Sequence, residues 1–181
     1  MEIQKETGVI EFIKSRRSSK NFIFKKLPQE VIKNILECGR YTLDEKSDLP
    51  YRINVITHPT VKLMLAELNP KNQEIFETAY CCFVVFLDLE KSGDRTKDLL
   101  TIGAIVENLL LGIHAIPNIG AIWIDGILDK KGEVNKIFKL NSEKFELMGV
   151  IAFGVINEEI EEFKKRERRE RVPISDFTDW Y

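Results

Sequence analysis

Apolar residues along this chain follow two rhythms, one near four residues and one near two, broken by polar stretches. Val9, Ile10, Phe12 and Ile13 recur about a helical turn apart and predict an amphipathic helix held on a core. Val31, Ile32, Ile35 and Leu36 predict a second helix over Pro28–Arg40, with Pro28 near its start. The β-branched run Tyr51–Thr57 reads as a strand. A short helix follows from Thr60 to about Leu68 and stops at Asn69-Pro70. Cys81–Leu87 is apolar without interruption, as expected of a strand covered on both faces. Thr96–Ile116 is the longest helical pattern, with Leu99, Leu100, Ile102, Ile105, Val106, Leu109, Leu110 and Ile113 leaving few polar faces. Such a helix is expected to be buried nearly all round, within the fold or against a partner chain. Ala121–Ile124, Gly132–Phe138 and Phe145–Gly154 complete the series as strand, helix and strand. Four strands with helices between them predict an α+β domain covered on both faces.

One polar stretch stands out. Ser15–Phe22 concentrates Arg16, Arg17 and Lys20 with the hydroxyls of Ser18 and Ser19, between the first helix and the anchors Phe22, Phe24 and Leu27. Guanidinium groups make paired, charge-assisted hydrogen bonds to phosphate oxygens, and serine hydroxyls add neutral ones. A solvated basic turn is the plainer reading of the same residues.

Composition narrows the chemistry. In 181 residues, 27 Lys+Arg oppose 29 Asp+Glu, so no global field favours nucleic acid or an anionic membrane and any anion site must be local. Three cysteines, Cys38, Cys81 and Cys82, and two histidines, His58 and His114, have no metal-type spacing. The expectation is no metal, no disulfide scaffold and a reducing cytoplasm. No secretory pattern opens the chain, and the apolar stretch Ile102–Ile124 is interrupted by Glu107, Asn108, His114 and Pro117, so no membrane span is expected. Glu107 and Asn108 are expected to be hydrogen-bonded within their helix environment. The glycine-rich dinucleotide fingerprint, the P-loop and the serine nucleophile elbow are all missing.

Three features in this order resemble the FMN-dependent nitroreductase family: Arg16-Arg17-Ser18-Ser19-Lys20-Asn21-Phe22; the block Gly103–Gly126, a long helix, a turn and Trp-Ile-Asp-Gly; and Arg169-Glu170-Arg171-Val172-Pro173. Val150–Gly154 is similar to the strand that precedes the family's basic tail. The resemblance spans roughly residues 9–174. It implies a three-layer α/β/α sandwich with a central, mostly antiparallel sheet and a long buried dimer helix. It implies one domain over 1–181, with the tail 172–181 packing on the partner subunit. Carried over to this chain, Arg16, Ser18 and Lys20 with Arg169 and Arg171 would hold the FMN phosphate. Arg17 would lie along the ribityl or pyrimidine side, Asn72 would reach the pyrimidine, and backbone amides near Asp125 and Gly126 would approach flavin N5. The family's polar segment before its first strand is altered: Pro50 and Tyr51 match it, while Asp44, Ser47 and Leu49 replace its serine, asparagine and glutamine.

The resemblance implies a homodimeric oxidoreductase that passes a hydride from NAD(P)H through FMN to a small electron-poor acceptor such as a nitroaromatic or quinone. No side chain then needs to act as nucleophile or general acid, because the flavin carries the chemistry. The competing reading is a non-catalytic dimeric protein of the same fold that binds a flavin or another phosphate-bearing ligand. A nucleic-acid module built on the basic runs fits the balanced charge poorly.

Overall fold

The structure is a computed structural model, and it describes residues 8–42, 50–157, 159 and 171–181. The elements run α1 (Gly8–Ser15), β1 (Phe22–Ile23), α2 (Gln29–Arg40), β2 (Tyr51–Ile56), α3 (Pro59–Leu68), α4 (Gln73–Thr78), β3 (Cys81–Asp88), α5 (Arg95–His114), β4 (Ile119–Ile124), α6 (Lys131–Ile137) and β5 (Phe145–Ile156). Short 3₁₀ turns lie at Pro70–Asn72, Leu128–Lys130 and Ile174–Asp176.

The sheet is antiparallel throughout its ladders, and β5 is its centre. One edge of β5 pairs with β4, from Ile119↔Val155 to Ile124↔Val150. The other edge pairs with β3, from Cys81↔Phe153 to Asp88↔Phe145, and beyond β3's end with the two-residue β1. β2 closes the far side against β3. The uninterrupted apolar run of β3 follows from this position. Cys82, Val84 and Phe86 point into a core shared with Leu65 of α3, Phe76 of α4 and Val134 of α6. Cys81, Phe83, Val85 and Leu87 point into a second core with Ile32 and Ile35 of α2 and Ile105 and Leu109 of α5. Helices therefore cover both faces, giving the three expected layers. Asp94 starts α5 by accepting from the amides of Thr96 and Lys97 at 2.9 and 3.0 Å.

Several local expectations change. The sheet has five strands rather than four, because Phe22–Ile23, the anchor after the basic turn, pairs with β5. α4 is an extra helix of six residues, too short for periodicity to reveal. Phe22 and Leu27 are buried anchors, whereas Phe24 is exposed. α1 buries none of its residues, and Val9 is 65% exposed. α5 is not covered all round within one chain: Ile102, Ile105, Val106, Leu109 and Ile113 are buried, while Leu99, Leu100, Gly103 and Ala104 face outward. Glu107 is likewise exposed and ion-paired, and Asn108 donates to Thr42 Oγ1 at 3.0 Å. The altered segment at Asp44, Ser47 and Leu49 lies outside the described residues.

Candidate functional site

The basic turn is stitched onto the sheet where β4 and β5 run side by side. Ser18 makes a single parallel bridge to Ala121, and the amide of Ser19 donates to the Ala121 carbonyl at 2.9 Å. Three residues on, Phe22 pairs with Ile156, and the Asn157 amide donates to the Asn21 carbonyl at 3.0 Å. Ser19 is buried over Gly120, whose missing side chain makes the approach possible. A Cβ there would lie 2.4 Å from Ser19 Oγ and 2.5 Å from Ile156 Cγ2.

Fixing the backbone in this way fans out the side chains. Arg16 leans on α5, where its Nε lies 3.4 Å from Glu107 Oε1. Arg17 folds back on its own turn, donating from Nη1 to the carbonyls of Lys14 and Arg16 at 3.0 Å each. Ser18 and Lys20 are exposed. Ser15 Oγ lies 2.8 Å from His114 Nε2, and the His114 ring packs 4.8 Å from Phe12. Burial first, and then the Arg16 charge, hold the His114 pKa below the usual imidazole value. His114 is thus a structural partner of α1, as its solitary place in the sequence suggested.

A second polar group forms where α3 ends near the turn after β4. Asn72 Nδ2 donates to Asn69 Oδ1 at 3.3 Å. Asn69 is buried, its own Nδ2 has no hydrogen-bond partner among the described residues, and that nitrogen lies 3.8 Å from the position a Gly126 Cβ would take. The turn itself is closed by the Leu128 amide donating to the Asp125 carbonyl at 2.9 Å. Asn72 is therefore bonded to Asn69, whose unpaired Nδ2 sits beside Gly126. Sequence reasoning passed over Asn69 because asparagine before proline is an ordinary helix stop, and no pattern marks its burial.

A cavity of about 340 Å³ opens beside the same turn, with Trp123 and Leu128 on either side of Asp125–Gly126 and Leu99, Gly103 and Met148 as further walls. Arg95 and Glu146 close one side as a two-pronged ion pair, 2.5 and 3.1 Å. The indole of Trp123 depends on Gly149, which sits at φ 124° opposite the register shift between Val85 and Phe86. A Cβ on Gly149 would stand 2.4 Å from Trp123 Nε1, so only glycine suits both the backbone and the neighbour.

The remaining sequence candidates are less connected. Arg171 is described and exposed, and among the described residues it makes no side-chain hydrogen bond or ion pair. Arg169 lies outside the described residues. The described residues contain no group of three or more His, Cys, Asp or Glu side chains able to hold a metal, and no helix long and apolar enough to cross a membrane. Lys62 is a buried lysine that periodicity does not reveal. Its Nζ donates to the carbonyls of Ala79 and Glu77 and lies 5.0 Å from the Phe24 ring centre, and burial lowers its pKa.

Comparison with known proteins agrees with this architecture. "Putative NAD(P)H nitroreductase YfhC" of Bacillus subtilis is 24% identical, over 98% of this chain and 97% of its own length. A crystal structure of a "putative nitroreductase in complex with FMN" from Desulfovibrio desulfuricans superposes with a TM-score of 0.85 at 24% identity, covering 98% of this chain and 99% of that one. NADPH:FMN oxidoreductase from Vibrio harveyi, solved with NAD⁺, gives a TM-score of 0.82 at 17% identity, with 96% and 77% covered. At these identities the superpositions speak for the fold. The profile of the Nitroreductase family matches residues 44–155, more than half of the chain and the stretch that carries β2 to β5 with the Trp123–Gly126 turn, and on that ground this protein belongs to the Nitroreductase family.

Proposed function

We propose that this protein is an FMN-dependent oxidoreductase taking electrons from NAD(P)H to a small electron-poor acceptor, a nitroaromatic or a quinone. The observation that carries the reading is the stitching of the basic turn to the outer side of β4, the strand that ends at the Trp123–Gly126 turn and its cavity. The cation cluster and the cavity are thereby tied to one strand. The residues present fit FMN. Arg16, Arg17 and Lys20 with two serines face a single carboxylate, Glu107, among the described residues, a donor excess suited to a phosphate. The unpaired Asn69 donor and the bare backbone at Gly126 suit the polar edge of the ring.

Bound FMN supplies the hydride chemistry. In this reading Arg16, Ser18 and Lys20, with Arg169 and Arg171, hold the phosphate, and Arg17 lies along the ribityl or pyrimidine side. Asn72 serves the pyrimidine through Asn69. The amides near Asp125 and Gly126 would donate to the ring edge and stabilise negative charge there. Trp123, Leu99 and Leu128 keep water from the ring side of the cavity, and no side chain acts as acid, base or nucleophile. The chain works as a homodimer, with α1, the outer face of α5 and the tail around Phe177 and Trp180 as the covered surface. Trp180 is 91% exposed in one chain, and apolar surface of this extent is ordinarily paired. Three free cysteines suit a reducing cytoplasm.

Absorbance spectroscopy of the purified protein tests the reading. The expected result is a flavin spectrum, native or after adding FMN, that NAD(P)H bleaches without oxygen. A colourless protein whose melting temperature FMN does not raise would sink it. FMN uptake without bleaching would favour the non-catalytic binder.

A further inference from the structure

Arg16 is the one cation of the basic turn that meets a carboxylate among the described residues, and the manner of the contact is informative. Glu107 Oε1 comes closest to Nε, the inner nitrogen of the guanidinium, at 3.4 Å, and Nη1 and Nη2 donate no hydrogen bond to a side chain among the described residues. Within one chain Arg16 is 23% exposed at its side chain and Glu107 50%, so the arginine is the more enclosed of the two. Ser15, one residue earlier, meets His114 two helical turns further along α5. The end of α1 and the first residue of the basic turn therefore rest on one stripe of α5, Glu107 and His114. Among the acidic groups of α5, Asp98 is turned away to Ser92, whose hydroxyl donates to it at 2.5 Å.

We infer that Glu107 is a positioning residue for phosphate recognition. It holds the Arg16 guanidinium by its inner nitrogen, so that the two outer nitrogens form a fork already aimed for bidentate bonding to a phosphate monoester. Arginine carries a large rotamer freedom, and a fork fixed beforehand loses less of it when the ligand binds. The inference rests on the reading that Arg16 binds the phosphate of FMN. It adds that a carboxylate, although it repels the ligand's charge, improves binding through geometry. A carboxylate that merely competed for the cation would be expected to engage the outer nitrogens, which the ligand also needs.

The competing effects have opposite signs, so titrating FMN and riboflavin into apoprotein distinguishes them. For Glu107→Ala, FMN affinity should fall about fivefold, the scale of one exposed ion pair, while riboflavin, lacking the phosphate, should bind as in the wild type. Glu107→Gln retains an oxygen for Nε and should recover most of the loss. Unchanged or tighter FMN binding in Glu107→Ala would overturn the inference, as would equal losses for both flavins. Arg16→Ala supplies the separate check: if the ratio of FMN to riboflavin affinity does not move there, the phosphate assignment itself fails. If it moves there and not in Glu107→Ala, only the role of Glu107 is wrong.

Discussion

Replacing Gly120 by alanine tests how the basic turn is held. The added methyl would stand 2.4 Å from Ser19 Oγ, 2.5 Å from Ile156 Cγ2 and 2.6 Å from Ser19 Cβ. Turning the serine hydroxyl away relieves only the first of these. The other two contacts come from opposite sides, one on the turn and one on β5, so either the turn lifts or the end of the sheet opens. Overpacking of this kind costs about 1–3 kcal/mol. Lifting the turn also weakens the Ser19–Ala121 backbone bond, worth about 1 kcal/mol. A net loss of about 2–3 kcal/mol is expected, which for a domain of this size lowers the melting temperature by roughly 4–12 °C. Urea unfolding gives the free energy, and flavin titration of the folded variant gives the consequence for the site: FMN should weaken more than riboflavin. Stability within about 0.5 kcal/mol of the wild type, with both affinities unchanged, would refute the claim that Gly120 seats the turn.

Further outcomes follow from burial. Cys38 should be alkylated by iodoacetamide well before the other thiols in native protein, since burial raises the pKa of Cys81 and pushes Cys82 up to about 12; mass spectrometry showing modified Cys81 or Cys82 in folded protein would contradict this. His114 should titrate below its unfolded value of 6.5. Because the unfolded chain then holds more protons, the His114 contribution to stability is present above that value and is lost as pH falls toward the folded pKa. Proton NMR of the ring checks it, and a midpoint above 6.5 would be the wrong sign. Gly149→Ala should cost about 1–3 kcal/mol from its positive φ and should shift the fluorescence of Trp123; a spectrum unchanged in a Trp180→Phe background would show that the indole does not depend on Gly149.

Much of this architecture was legible because burial leaves a rhythm. β3 reads as a strand covered on both faces, and the sheet places it between β2 and β5 with helices above and below. α2 and α5 were visible because their stripes repeat over 12 and 20 residues. β1, two residues long, and α4, six, offer too few positions for any period. Polar burial left no trace at all. Lys62 and Asn69 look like surface residues because the carbonyls near Lys62 and the Gly126 backbone near Asn69 come from elements distant in sequence. The outward face of α5 is a different case: apolar periodicity reports that a surface is covered, not whether its own chain or a partner covers it. Of the site, the cation cluster was readable as chemistry, whereas the contact of Glu107 with Arg16 and the burial of Asn69 beside Gly126 required the fold.

The place of β5 in the sheet also governs how the protein is made. The last strand among the described residues is the central one, and β1, β3 and β4 all pair with it. Until residues 145–156 have emerged from the ribosome, β3 has only β2 beside it, β4 has no ladder, and the basic turn lacks the β5 end that pairs with Phe22. Sheets completed by such distant pairing fold slowly, and the growing chain meanwhile exposes the apolar run Cys81–Leu87, an aggregation hazard that chaperones exist to cover. A chain terminated before Phe145 is therefore expected to be insoluble rather than merely inactive, and the candidate site can be assembled only after residues 145–156 have been made.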